Sequence, residues 1–150
     1  MEKNTATQIL DVAQDMVRNR GYSAFSYADI SKQVGIRKAS IHYHFPAKDV
    51  LVKELVKRYR ENMARQCSLI AESDASPDQQ LIQFADLYCN GLAQDHICMC
   101  SMLSADFAVL PESIQNEIQV FFQETEAWLA HLLQQGQDAQ LWTCRPSVEQ

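Results

Sequence analysis

Apolar residues recur at three- and four-residue spacing along almost the whole chain, and the alternation that makes strands is nearly absent. The pattern predicts an all-α protein. Ile9, Leu10, Ala13, Met16 and Val17 mark one face of a first helix over 7–19, closed by Gly21. Ser26 stands where an N-cap belongs, with Asp29 three residues on and Phe25 before it as a staple residue. A short second helix is therefore expected over 27–34, with Gly35 as its left-handed exit. A third short helix over 38–43 is bounded by Phe45-Pro46. A long one follows over 48–72, with Val52, Leu55, Val56, Tyr59 and Met63 along one stripe. Its basic residues Lys53, Lys57, Arg58 and Arg60 read as a solvated face. Beyond a loop at 73–78, helices are expected over 79–94, 98–110 and 113–135. Pro111 separates the last two and Gly136 ends the final one. On that helix Ile114, Ile118, Phe121, Thr125, Trp128 and Leu132 form a buried face, widened by Phe122, Leu129 and Leu133.

Composition narrows the class. The chain has 150 residues, 47% apolar and 21% charged, with only 4 Gly and 4 Pro, which excludes a disordered or collagen-like polymer. Its longest uncharged run, 127–137, has 11 residues, too few to span a bilayer, so no membrane partner is expected. The first residues lack the apolar core of a secretion signal, and the five cysteines read as reduced thiols, so a cytoplasmic location is expected. The net charge of −6 is unevenly spread: residues 1–65 carry 12 of the 13 Lys and Arg against 7 acids, a net of +5, while residues 66–150 carry −11. Such blocks suggest a polyanion-binding first part joined to a body with another task.

Two short helices joined by a Gly-containing turn match a helix-turn-helix. In that arrangement the third helix offers Lys38, Ser40, His42, Tyr43 and His44 to a groove. Lys38 suits a guanine edge, and the small Ala39 lets backbone approach a thymine methyl. Tyr43, His44 and Lys48 carry donors suited to phosphates.

The stretch 25–51 carries Ala28-Asp29-Ile30, Val34-Gly35-Ile36, Ile41-His42-Tyr43-His44-Phe45-Pro46 and Lys48 in ungapped register. It resembles the TetR family of bacterial transcriptional repressors, over about residues 5–60. The resemblance implies base-edge contacts from Arg37, Lys38, Ala39 and His42, and phosphate contacts from Ser26, Tyr27, Tyr43, His44 and Lys48. Ile30, Val34, Ile41 and Phe45 are the implied core of the reading head. Two helix caps depart from the family pattern: Arg37 replaces a Ser or Thr cap, at roughly 1 kcal/mol, and Ala47 replaces a small polar one. His42 also stands where Tyr is common.

The resemblance divides the chain into a DNA-binding head at 1–50, a linking helix at about 48–72, and a helical ligand-binding and dimerisation domain at 51–150. It implies a homodimer on a double-stranded DNA operator, released by an unidentified small-molecule effector. Phe84, Tyr88, Met99, Met102, Leu103, Phe107, Phe121 and Trp128 are the candidate pocket residues, although aromatic and Met stripes of this kind more often fill space as plain core. Cys98 and Cys100 are candidate redox or electrophile sensors; their two-residue spacing puts the thiols on nearly opposite helix faces, so no metal site is expected. No cofactor is implied. No phosphate-cradling Gly loop, zinc-protease motif or nucleophile-base arrangement supports an enzyme. The alternative is a helical interaction module that no longer reads DNA and sequesters a partner protomer. Family members usually continue with two more helices, so a truncated chain is expected, with Ser147 placed to cap the next one.

Overall fold

Asn4 starts the first helix: its Oδ1 accepts from the Ala6 amide at 3.1 Å. The computed structural model describes residues 4–92 and 97–143. Helix α1, Thr5–Arg20, carries Arg18 and Arg20 in its last turn, where cations oppose the helix dipole. Gly21 ends it at φ 77° and ψ −177°, a conformation open essentially to glycine. Its bare face lies against Asp106, whose Oδ2 would stand 3.3 Å from an added Cβ.

Helix α2, Tyr27–Val34, is closed by Gly35 in the left-handed region (φ 77°, ψ 28°), where the Gly35 and Ile36 amides both donate to the Ser31 carbonyl. Helices α3, Lys38–His44, and α4, Lys48–Ala71, follow. Arg37 and Ala47 occupy their cap positions and make no side-chain cap bond, as the sequence leads one to expect. Helix α5, Pro77–Leu92, begins two residues earlier than expected. Pro77 fits a first-turn position that needs no amide donor. The Ser76 amide just before it is held by Gln79 Oε1 at 3.2 Å. The end expected at 94, and Ser147, lie outside the described residues.

The single helix expected over 98–110 is not formed. Helix α6, Met99–Ser104, stops early and a 3-10 turn, Phe107–Val109, follows. Leu110 precedes Pro111 and is driven to extended backbone (ψ 145°). Gln115 Nε2 then donates to the carbonyls of Phe107 and Leu110 at 2.8 and 2.9 Å, fixing the break.

Helix α7, Glu112–Asp138, runs through Gly136 rather than ending there. Gln140 takes the positive φ (58°) that the sequence assigns to glycine. Gly136 is buried because the Trp142 ring lies directly on it, leaving no room for a Cβ. Trp142 Nε1 donates to the Leu133 carbonyl at 3.0 Å. Ile114, Ile118, Phe121 and Leu132 of α7 are buried as expected, whereas Phe122 and Leu133 face solvent.

The main apolar cluster is continuous through both halves of the chain. Ile9, Ala13 and Val17 of α1, Ile30 of α2 and Ile41 of α3 join Leu51, Val52, Leu55 and Val56 of α4. Met99, Cys100 and Leu103 of α6 and Ile114, Ile118 and Phe121 of α7 complete it. A smaller cluster of Cys67, Ile70 and Phe84 ties α4 to α5 and α7. Helix α4 is thus packed against the head at one end and the body at the other.

Candidate nucleic-acid interface

The head is rigid beneath and polar above. Beneath α3, Ile41 and Phe45 are buried with Ile30. The Tyr27 hydroxyl donates to the Phe45 carbonyl at 2.9 Å, closing α2 onto the end of α3. Burial of the hydroxyl, with the nearby Asp49 charge adding to it, pushes the Tyr27 phenol up to about 12. Of the expected contacts, Tyr27's side chain is therefore spent inside the fold. Only its main-chain amide, in the first turn of α2, is left to meet a phosphate.

The remaining candidates stay at the surface. Arg37, Lys38 and Ala39 are exposed at the start of α3, and His42 and Tyr43 are exposed one turn on. Tyr43 is 84% exposed, an extreme value for so large a ring, with only the edge of His44 against it at 5.2 Å between centroids. His42 leans on the Tyr27 ring at 4.7 Å, and its Nδ1 lies 3.2 Å from the Pro46 carbonyl. A carbonyl only accepts, so Nδ1 carries a proton there and Nε2 is the atom turned to any partner. In the neutral ring that atom accepts, which suits an adenine or cytosine amino group better than a phosphate.

Ser26 and Lys48 complete the surface with part of their capacity already used. Asp29 accepts from the Ser26 amide at 2.8 Å and from its hydroxyl at 2.7 Å, and these bonds, the hydroxyl's foremost, hold the Asp29 carboxyl below its ordinary range. Ser26 must turn its hydroxyl away from Asp29 before donating to a phosphate. The Lys48 ammonium donates to the Phe25 carbonyl and lies 4.2 Å from the Phe25 ring centroid and 4.7 Å from that of Tyr22. Burial pulls its pKa below the ordinary lysine value. Phe25, Ser26, Tyr27, Ala28, Lys38, His42 and Lys48 nevertheless surround one open concavity of about 380 Å3 between α2 and α3. The structure so brings together two candidate base contacts, Lys38 and His42, with three of the five candidate phosphate contacts, Ser26, Tyr27 and Lys48.

In the body the eight candidate pocket residues separate. Met99, Leu103 and Phe121 are fully buried in the main core. Phe84 stacks on Trp128 at 5.1 Å and tilts against Tyr88 at 5.4 Å. Met102 and Phe107 are half-buried. Phe121 and Trp128 reach a cavity of about 210 Å3, and Tyr88 reaches a second of about 440 Å3. Cys98 opens onto the larger one and engages the Tyr59 hydroxyl. Cys100 does not: it is fully buried, and burial pushes its thiol up, the opposite of a reactive thiolate.

Comparison with known proteins decides the family. Residues 9–55 match the model of bacterial regulatory proteins of the tetR family. A TetR-family transcriptional regulator from Agrobacterium tumefaciens is 36% identical, with a TM-score of 0.86 over 89% of this chain and 72% of that one. The chain belongs to the TetR family. Among curated relatives, nucleoid occlusion factor SlmA of a Marinomonas species is 25% identical over 87% of this chain and 66% of its own length. The HTH-type transcriptional repressor KstR2 of Mycobacterium tuberculosis is 30% identical over 49% of this chain and 37% of its own. The chain spans less than two thirds of either. The TetR family is one of bacterial regulatory proteins, and this member has the all-α helix-turn-helix head that the motif implies.

Three residues of this TetR-family chain escape a reading of the sequence. Arg58, assigned to a solvated face, donates to Asp11 at 2.8 Å and to Gln14 at 3.0 Å, tying α4 to α1. Arg60 pairs with Glu117 at 3.5 Å and Glu124 at 3.2 Å, tying α4 to α7. Arg18 lies over the Tyr59 ring, 5.7 Å from its centroid. Partners this distant in sequence leave no periodic signal.

Proposed function

We propose that the protein is a repressor that binds a two-fold-related operator as a homodimer, with α3 in the major groove. In this reading it works by binding, not catalysis, in the cytoplasm beside the DNA. Arg37, Lys38, Ala39 and His42 read base edges. Ser26, the Tyr27 amide, Tyr43, His44 and Lys48 hold phosphates. The observation that carries this is the exposure of Arg37, Lys38, Ala39, His42 and Tyr43 on a short helix whose other side, at Ile41 and Phe45, is locked into the core. A surface of two cations, a methyl, an imidazole and a phenol is poorly explained by packing and well suited to a groove.

A small-molecule effector in the body releases the DNA, which requires unequal affinity for two arrangements of head and body. The cavity beside Tyr88 is the effector site in this reading. A thiol-reactive signal would act through Cys98, the thiol that opens onto it. Footprinting on the promoter region of the protein's own gene tests the proposal. Two protected half-sites about one helical turn apart are expected. Uniform protection of any duplex, or none, would count against it.

A further inference from the structure

The cavity of about 440 Å3 lies where head and body meet. Tyr59 of α4, Leu87, Tyr88 and Leu92 of α5 and Ile97 before α6 supply its apolar walls, and Arg18 of α1 supplies its charge. Arg18 is half-buried, and its buried Nε–H has no hydrogen-bond partner. No acidic residue lines this cavity among the described residues. Arg60, which borders the smaller cavity, shares the unpartnered Nε–H but has its terminal nitrogens paired with Glu117 and Glu124. Arg18 lies over the face of Tyr59 here, and it also borders a second cavity that Asp11 and Glu61 line. A buried donor left unmade is costly, and a guanidinium is shaped to receive a carboxylate.

We propose that this cavity binds an amphipathic organic carboxylate, its apolar body between Tyr59, Tyr88 and Leu87 and its carboxylate on Arg18. The inference rests on the reading of the body as an effector domain and names the chemical class of the effector. A volume of about 440 Å3 falls within the usual range for small-molecule sites. Arg18 sits one turn before Gly21, and Gly21 lies against Asp106 just beyond α6. A ligand held by Arg18 therefore touches the head and the body together, the geometry that unequal affinity for two arrangements requires.

Isothermal titration of the full chain with 4-phenylbutyrate and with its neutral counterpart 4-phenylbutan-1-ol tests the assignment. The acid is expected to bind at least about tenfold more tightly than the alcohol. Arg18→Met should erase that preference while leaving alcohol binding unchanged, and Arg18→Lys should retain part of it. If Arg18→Met proves unfolded by circular dichroism, Leu87→Trp replaces it: filling the apolar end should remove binding of both compounds. Equal binding of acid and alcohol by the wild type, absence of binding, or an acid affinity untouched by folded Arg18→Met overturns the assignment. Operator affinity measured on the same samples separates the two claims. Acid bound through Arg18 without any change in DNA binding supports the carboxylate site and contradicts effector-driven release.

Discussion

Arg58 of α4 donates to Asp11 of α1 at 2.8 Å, joining the linking helix to the DNA-binding head across 47 residues of sequence. Both side chains are about one third exposed, at 31% and 37%, so solvent screens the pair and its direct worth is small. A double-mutant cycle with Arg58→Met and Asp11→Asn should give a coupling of about 0.5–1 kcal/mol by chemical denaturation, falling as salt rises. Strictly additive effects at low salt would show that the contact does not couple the two helices.

Gly136 sits inside α7 under the Trp142 ring. Replacing a mid-helix glycine by alanine ordinarily stabilises by about 1 kcal/mol. Here the new methyl takes the space of the indole, so Gly136→Ala should expel Trp142 and break its bond to the Leu133 carbonyl. The expected result is a red-shifted tryptophan emission with no rise in melting temperature. A higher melting temperature with unchanged emission would contradict the close approach.

The buried Tyr27 hydroxyl predicts an alkaline weakness. Its pKa is raised from an ordinary 10.0 to about 12, so between those values the folded state holds a proton that the unfolded state releases. Stability from this group is complete below pH 10 and is lost as pH rises toward 12. Tyr27→Phe should cost about 1 kcal/mol at neutral pH by losing the bond to Phe45. The variant should also show a shallower loss of stability above pH 10, followed by urea denaturation. Identical alkaline profiles would remove Tyr27 as the cause.

In the proposed reading Lys48 holds a phosphate as well as packing on Phe25 and Tyr22, and substitution separates it from the base-reading Lys38. Lys48→Met gives up the rings of Phe25 and Tyr22, at about 0.5–1 kcal/mol or more of stability. It should weaken binding to all duplexes alike and reduce the salt slope by about one. Lys38→Ala should leave stability unchanged and relax preference among operator variants at one position. Unchanged preference would move the base-reading register away from Lys38.

How far the sequence could be read depends on whether each signal is local. The head is legible because its signals are: Ser26 with Asp29, Gly35 in its left-handed turn, and the spacing of Ile30, Ile41 and Phe45 all act within a few residues. Gly136 misleads for the opposite reason. A glycine near a helix end has two uses, a left-handed turn or a close approach, and Trp142 chooses the second. The break between α6 and α7 begins earlier than Pro111 because Gln115 secures two carbonyls that no periodicity announces. Tyr27 is half legible. Its position at the front of α2 is local, but the burial of its hydroxyl against Phe45 is a tertiary outcome. Cys98 and Cys100 look equivalent in sequence and part company only when one faces a cavity and the other the core.

The central claim is that α3 reads DNA sequence. Fluorescence anisotropy on a duplex from the protein's own promoter region, against a scrambled duplex across a salt series, tests it most directly. A preference of about 1,000-fold or more is predicted, with affinity falling steeply as salt rises and the preference collapsing in Lys38→Ala. Equal weak binding to both duplexes at every salt concentration would contradict it.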